Sequence, residues 1–210
     1  MDALGTLLAG YRRFRETRYE AEKARWRALA EGQSPRAIVI ACCDSRADPA
    51  TIFDTDPGEI FVVRNVANLV PPFEGGGGRH GVSAALEFAV TQLGVGEIVV
   101  MGHERCGGIQ AALTGQFHDA PHGEGGFVAN WMSQIDERAA EIAASHGTGE
   151  DAARVLEEVA IRQSLANLRT FAFVAEREAR GAIKVVGCHF SISEGQLYML
   201  DEAEDVFRPV

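Results

Sequence analysis

Two short apolar runs rich in β-branched residues, at 37–40 and 98–100, constrain the fold of this chain most strongly. Each run stops at polar residues and glycine, a pattern typical of a strand buried inside a parallel sheet. Segments with helical spacing of apolar residues alternate with such runs along the chain. This alternation predicts an α/β fold, with a mostly parallel central sheet flanked by helices.

The same patterns locate the other elements. The predicted sheet has roughly five strands, at 37–40, 59–64, 97–101, 182–187 and 196–200. Helices are predicted at 81–93, 107–113, 127–145 and 150–179. Apolar residues at helical spacing within 1–31 predict a long N-terminal helical arm. Because no linker is evident, we expect one domain over residues 1–210 that includes this arm.

Composition narrows the class of protein. The chain has 210 residues, of which 46% are hydrophobic, and this suffices for one domain with a buried core. Its net charge of −10 argues against nucleic acid as a partner, because phosphate binding needs clustered Lys and Arg. No apolar run reaches the roughly 18 residues of a membrane span, so we expect no membrane association.

The N-terminus and the cysteine count bear on the cellular compartment. The first residues lack the basic-then-apolar plan of a secretory signal. Four cysteines in a chain of this length are too few for a disulfide-stapled secreted domain. We therefore expect a cytoplasmic protein. Two of the cysteines, Cys43 and Cys188, are expected to be buried thiols without a function.

Cys42, His103 and Cys106 are candidate metal ligands. Cys42 follows the first apolar run, whereas His103 and Cys106 follow the run at 98–100. Ligands of parallel sheets bind beyond the carboxyl ends of the strands, so the two groups meet if these strands are neighbours. Two thiolates and one imidazole suit zinc, and three protein ligands leave a fourth position free for chemistry. The sequence therefore predicts one catalytic Zn²⁺ per chain.

Asp44 and Arg46 follow Cys42 at intervals of two residues. Alternation along an extended chain would place all three side chains on one side. Arg46 is expected to grip the Asp44 carboxylate in a two-pronged pair and keep it ionised. Asp44 would then accept a hydrogen bond from zinc-bound hydroxide and orient it. The alternative is that Asp44 becomes the fourth zinc ligand, which requires breaking the pair with Arg46.

The two motifs together resemble those of the β-class carbonic anhydrases. The run Cys-x-Asp-Ser-Arg is followed about 60 residues later by Gly-His-x-x-Cys-Gly-Gly, and segments 57–72 and 84–90 match as well. The resemblance implies a carbonate dehydratase, a lyase that reversibly hydrates carbon dioxide to bicarbonate and a proton by attack of zinc-bound hydroxide. It implies that zinc binds Cys42, His103 and Cys106. It also implies that Asp44 and Arg46 form the catalytic pair. It also implies a homodimer or homotetramer, with the N-terminal helices covering the partner subunit.

The plant-type subgroup of that family suggests four residues that contact the substrate, Gln33, Phe61, Val66 and Phe88. Gly107 and Gly108 are further expected substrate-binding residues, on the separate ground of the helix predicted to begin there. The Gln33 amide is expected to hydrogen-bond the substrate, and Phe61 and Val66 match an apolar wall. Phe88 stands where the subgroup carries a tyrosine, so a hydroxyl contact is missing. The backbone at Gly107 and Gly108, where a helix is predicted to begin, is expected to hold bicarbonate.

A second subgroup, inhibited by bicarbonate, carries a tryptophan three residues before the zinc cysteine. Here that position is Val39, and Arg64 occurs in both subgroups. We therefore expect an open site near neutral pH, with water rather than Asp44 on zinc. Near the C-terminal end of the sheet, His189 is expected to make a local, structural hydrogen bond.

Three other functions are compatible with parts of the sequence. The glycines at 76–81 fit G-x-G-x-x-G before a helix, but a dinucleotide site needs a strand ending at the first glycine. A non-catalytic zinc protein on the same fold would not need the Asp44–Arg46 pair. The same scaffold hydrolysing carbon disulfide or carbonyl sulfide is a further alternative, which depends on access to the pocket.

Overall fold

A computed structural model of the chain describes residues 2–76 and 78–210, which form two compact units, Met1–Ser34 and Pro35–Val210. The first unit contains helices α1 (Ala3–Glu16), α2 (Arg18–Ala21) and α3 (Lys23–Glu31). Asp2 caps α1, since its Oδ1 accepts the N–H of Gly5 at 2.7 Å. Within residues 2–31 the predicted helical arm is confirmed, although it is broken into three helices.

The second unit is built on a six-stranded sheet. Its strands are β1 (Ala37–Cys42), β2 (Ile60–Asn65), β3 (Glu97–His103), β4 (Lys184–Ser191), β5 (Gln196–Asp201) and β6 (Val206–Pro209). The strand order is β2-β1-β3-β4-β5-β6, and the first four strands in this order are parallel. Strands β5 and β6 run antiparallel to their neighbours. The predicted α/β class is confirmed, with one more strand than expected.

Seven helices of the second unit are described. They are α4 (Pro49–Ile52), α5 (Gly81–Glu87), α6 (Gly107–Thr114), α7 (Gly126–Met132), α8 (Asp136–His146), α9 (Glu150–Leu168) and α10 (Ala172–Ala179). A π-helical segment, Phe88–Leu93, extends α5, and the turns Val66–Asn68 and Ser133–Ile135 are 3₁₀ helices. The helix predicted at 150–179 is thus two helices. Over the described residues, no helix is both long and apolar enough to cross a membrane.

Helix α9 lies close against the sheet because two strands carry glycine beneath it. A Cβ at Gly102 of β3 would lie 2.7 Å from Cδ1 of Ile161. A Cβ at Gly187 of β4 would lie 2.7 Å from Cγ2 of the same isoleucine. Ile161 itself is fully buried on α9. The absence of both Cβ atoms lets Ile161 seat on the sheet, and this fixes the height of α9 above the carboxyl ends of β3 and β4.

Candidate metal centre

The predicted meeting of two strand ends is observed. Strands β1 and β3 are parallel neighbours, with Ala41 opposite Met101, so Cys42 and His103 end their strands at the same edge of the sheet. The strand order reverses here, because β2 lies on one side of β1 and β3 on the other. Cys106 is the N-cap residue of α6, directly after this edge. The fold therefore brings all three predicted ligands to a topological switch point.

The ligand atoms form one compact cluster. The donor atoms of Cys42, His103 and Cys106 all lie within 4.8 Å of one another, and the three side chains are buried. The two sulfur atoms are 3.9 Å apart. Tetrahedral zinc with Zn–S bonds of about 2.3 Å would place its sulfur ligands about 3.8 Å apart. The sulfur separation thus already suits a shared zinc ion.

The His103 ring is oriented as a metal ligand. Its Nδ1 lies 2.9 Å from the carbonyl oxygen of Glu104, which can only accept, so Nδ1 carries the proton. Its Nε2 then presents a lone pair toward the two sulfurs. This Nε2 is buried and has no hydrogen-bond partner among the described residues. An unpaired buried nitrogen is costly, and a cation bound between the thiols would satisfy it.

The two thiols contact each other directly, with 3.9 Å between their sulfur atoms. A hydrogen bond between them lowers the pKa of one thiol below its usual range and raises the pKa of the other. Zinc binds thiolates, so a metal that binds both sulfurs must displace the protons they carry.

Asp44 is held by three hydrogen bonds from Arg46. Oδ1 of Asp44 accepts from the backbone N–H and from Nε of Arg46, each at 2.9 Å, and Oδ2 accepts from Nη2 at 2.7 Å. This guanidinium holds the pKa of the Asp44 carboxyl well below its usual range. Oδ2 also lies 4.0 Å from Nε2 of His103. An ionised acceptor therefore stands beside the ligand cluster, as the sequence predicted.

Arg64 braces the end of β1 from the neighbouring strand β2. Its Nε donates to the carbonyl oxygen of Cys42 at 2.8 Å, and its Nη2 donates to the carbonyl oxygen of Asp44 at 2.6 Å. Its Nη1 pairs with Asp48 at 2.8 Å. All three nitrogens of this guanidinium are thus engaged in holding the segment that carries Cys42 and Asp44.

The turn after β2 forms another wall of the centre. Ala67 and Asn68 both adopt left-handed backbone angles, with φ of 62° and 49°, which non-glycine residues rarely do. Asn65 closes this turn, because its side chain donates to the carbonyl oxygen of Leu69 and accepts the Leu69 N–H. The turn places Val66 against α6, where a Cβ at Gly108 would lie 2.6 Å from Cγ1 of Val66.

The predicted substrate residues divide into two sets. Gly107 and Gly108 follow Cys106 in sequence, and Val66 lies against Gly108. The Phe61 ring packs with the Phe88 ring at 6.0 Å between centroids. Phe61 pairs with Ile38, four residues before Cys42, so at about 3.3 Å per residue its backbone lies about 13 Å along the strands from that of Cys42.

Gln33 belongs to the other unit. It is exposed and follows α3 within Met1–Ser34. Its substrate contact, like those of Phe61 and Phe88, stays a prediction.

Sequence reasoning missed a buried polar network behind Cys106. Glu157 of α9 accepts the backbone N–H of Cys106 at 3.0 Å and contacts Nε2 of His189 at 2.8 Å. His189 therefore makes a hydrogen bond, but to a helix 32 residues away in sequence instead of the local partner that was expected. The sequence signal that was missed is the position of Glu157 itself, which falls within the apolar stripe of α9. The expectation for Cys43 was wrong, since Cys43 is exposed at the turn after β1, whereas Cys188 is buried.

The dinucleotide-binding alternative finds no support. The pattern at 76–81 includes Gly77, which lies outside the described residues. Before it, described residues 66–76 form a 3₁₀ turn and a loop instead of the strand that such a site needs. Gly81 begins α5, so only the helical half of the pattern is present.

Comparisons with known proteins agree with this geometry. The carbonic anhydrase family profile matches residues 37–197. Beta carbonic anhydrase 6, mitochondrial, of Arabidopsis thaliana is 37% identical over 198 residues, which is 93% of this chain and 67% of that protein. The carbonic anhydrase of Pseudomonas aeruginosa is 36% identical over 203 residues, which is 96% of this chain and 89% of that protein.

Solved structures show the same fold. The structure of the beta-carbonic anhydrase CcaA superposes with a TM-score of 0.90 at 29% identity. The superposition covers 100% of this chain and 93% of the CcaA chain. A tetrameric beta-carbonic anhydrase of Sordaria macrospora superposes with a TM-score of 0.80 at 26% identity, with 96% and 98% covered. With its Cys-His-Cys cluster, the chain therefore belongs to the β-class carbonic anhydrases, zinc enzymes that reversibly hydrate carbon dioxide.

Proposed function

We propose that Asp44 and Arg46 form the catalytic pair of this enzyme and that the product at this centre is bicarbonate. The observation that supports this most directly is the placement of the Asp44 carboxylate. Both of its oxygens are held by Arg46, and one of them lies 4.0 Å from Nε2 of the ligand His103. A structural zinc site would not need an ionised, oriented acceptor at this position.

When bound, zinc acts as a Lewis acid that activates water as a nucleophile near neutral pH. Asp44 supplies orientation. An ionised carboxylate can only accept hydrogen bonds, so a water beside Asp44 must point an O–H toward it and keep a lone pair free for the carbon of carbon dioxide. Arg46 fixes the direction of the carboxylate and keeps it ionised. Because both oxygens are so engaged, we propose that Asp44 stays paired with Arg46 at neutral pH and does not coordinate the metal.

The walls of the centre suit a small apolar substrate and an anionic product. Val66 offers an apolar surface, which favours carbon dioxide over water. Helix α6 begins at Gly107, and the start of a helix favours nearby negative charge. We propose that the backbone at Gly107 and Gly108 also helps to hold bicarbonate.

Stopped-flow hydration of carbon dioxide tests the proposed roles. The parent enzyme should be active with about one zinc per chain, and Cys106→Ser should lose both the metal and the activity. Asp44→Asn should keep the metal and lose about 10²-fold or more in kcat/KM, the usual contribution of a positioned acid–base group. Full activity of Asp44→Asn would refute its role. A zinc-loaded but inactive parent would identify a non-catalytic zinc protein.

A homodimer or homotetramer is proposed as the working unit. The Sordaria macrospora neighbour is tetrameric. On α1, four large apolar residues are more than 40% exposed: Leu4, Leu7, Leu8 and Tyr11. Such an apolar face suits burial against another subunit. Light scattering on the purified enzyme distinguishes monomer, dimer and tetramer.

We also propose that the enzyme is cytoplasmic. All four cysteines are free thiols, and the metal centre needs two of them reduced, which suits a reducing compartment. Fractionation of the source cells with an antibody to the protein tests this. Recovery with a membrane-enclosed organelle, as the name of the mitochondrial Arabidopsis relative describes, would contradict it.

A further inference from the structure

We propose that Glu157 is a positioning residue of the metal centre, which holds Cys106 in place through the backbone of that ligand. Its carboxylate is only 3% exposed and lies on α9, outside both metal-binding motifs. Oε1 accepts the N–H of Cys106 at 3.0 Å. The bond is buried, where a hydrogen bond is electrostatically stronger than in water.

The Cys106 segment needs such a restraint. As the N-cap of α6, Cys106 has an N–H without a partner inside the helix. The preceding residue, Arg105, adopts a left-handed φ of 54°, so the turn that presents the sulfur is strained. Glu157 both satisfies the N–H and ties this strained turn to a helix. The separation of 3.9 Å between the sulfurs of Cys42 and Cys106 depends on where this turn is held.

Glu157 is itself held by His189 and Arg154. Nε2 of His189 lies 2.8 Å from Oε2 of Glu157 and can donate to it. Nη1 of Arg154 lies 2.7 Å from Nδ1 and 3.4 Å from Nε2 of the same ring, so the guanidinium sits against the face of the imidazole. Both oxygens of the buried Glu157 carboxyl group thus have a hydrogen-bond partner.

The close packing of α9 on the sheet determines which groups Glu157 can hydrogen-bond. Glu157 lies one turn before Ile161, the residue that seats on the two glycines of the sheet. His189 of β4 is the register partner of Gly102, beneath the same helix. The close approach of α9 therefore brings Glu157 within hydrogen-bonding distance of both the ligand turn and His189.

Metal affinity tests the proposal independently of catalysis. We would measure the zinc dissociation constant by chelator competition, and the thiolate-to-metal absorption of the Co²⁺ form, for Glu157→Gln. We expect about 10- to 100-fold weaker binding, as for other residues that orient metal ligands. Glu178→Gln is the matched control. Glu178 lies on α10 and pairs with Arg169, so this substitution also removes one carboxylate from an ion pair. Binding by Glu157→Gln within about twofold of the parent would overturn the proposal.

Two substitutions of His189 separate positioning from a general packing role. His189→Gln places an amide near the position of Nε2 and can still donate to Glu157. His189→Asn places its amide near Nδ1 and loses that donor. We expect His189→Asn to weaken zinc binding more than His189→Gln at similar thermal stability. Equal losses from both would mean that the network only packs the core, and this pair remains decisive if Glu157→Gln does not fold.

The effect of Glu157 on zinc affinity does not depend on the proposed catalytic roles of Asp44 and Arg46. A parent protein that binds zinc but does not hydrate carbon dioxide would refute those roles. The effect of Glu157 on zinc affinity would still be measurable in that protein.

Discussion

Nη2 of Arg46 donates a hydrogen bond of 3.0 Å to the carbonyl oxygen of Arg105, across 59 residues of sequence. The same nitrogen lies 2.7 Å from Oδ2 of Asp44. Arg46 therefore joins the Asp44 carboxylate to the turn that precedes Cys106. A displacement of Asp44 is therefore transmitted to the Cys106 turn, and the reverse, through this one guanidinium.

Replacing Arg46 by Lys should impair catalysis while zinc stays bound. An ammonium cannot donate to both oxygens of Asp44 and to the Arg105 carbonyl in one plane, so the carboxylate loses its direction. A misplacement of about 1 Å can cost about 10²-fold in rate, and we expect a loss of that order in kcat/KM by stopped-flow hydration. Arg138→Lys is the control, since Arg138 pairs with Glu141 on an exposed helix. Parent-like kcat/KM for Arg46→Lys would contradict this prediction.

The two glycines that begin α6 should respond oppositely to alanine. A Cβ at Gly108 would lie 2.6 Å from Cγ1 of Val66 and 3.3 Å from Cβ of Ala67, whereas a Cβ at Gly107 meets nothing within 4 Å. Gly108→Ala should therefore lower the free energy of unfolding by about 1–3 kcal/mol, the usual cost of overpacking. Gly107→Ala should leave it unchanged or raise it slightly, because alanine favours the helix. Urea unfolding compares the pair, and equal stabilities would count against the described contact.

The four cysteines should differ sharply in reactivity. Burial raises the pKa of Cys188 to about 12, so only about 10⁻⁴ of it is thiolate at pH 8. Cys42 and Cys106 are buried and would be bound to zinc, whereas Cys43 is exposed. A thiol reagent should thus titrate one group per chain in the zinc-loaded enzyme and four after unfolding with a chelator. The native count should fall to zero in Cys43→Ser, and labelling of Cys188 before unfolding would be inconsistent with its burial.

The metal ligands were predictable because their positions follow from a rule about sheets. An apolar run that stops at Cys42 and another that stops at His103 define strand ends, and parallel strand ends share one edge. Arg46 pairs with Asp44 as predicted, but through a turn at residues 45–46 and not through alternation along an extended chain. That pair is short-range in sequence, whereas the meeting of Cys42 with His103 also required β1 and β3 to be neighbours.

Other features depend on contacts that local patterns do not show. Strand β6 is only four residues long and includes a proline at a sheet edge, so its alternation is too brief to detect. The break between α9 and α10 contains neither glycine nor proline, and Thr170 ends α9 by donating to the carbonyl oxygen of Asn167. Glu157 gave a usable signal, a carboxylate in an apolar helical stripe, but its partners could not be identified without the fold.

The pair of Asp44 with Arg46 should also make stability depend on pH. The pKa of Asp44 is lower in the fold than its value of about 3.9 in an unfolded chain, so the ionised form favours folding. This contribution is fully present above that unfolded value and is lost as the pH falls toward the lower folded value. Arg46 is 47% exposed, and solvent screening reduces the expected effect to about 1 kcal/mol.

Unfolding of the metal-free protein by urea tests this contribution. The parent should exceed Asp44→Asn in stability by a constant amount from pH 5 to 7. The difference should shrink as the pH falls below about 4, because Asp44 in the unfolded parent then binds a proton that the folded protein does not yet bind. A difference that grows on acidification would mean that the carboxylate is destabilising in the fold, which the three hydrogen bonds from Arg46 do not allow.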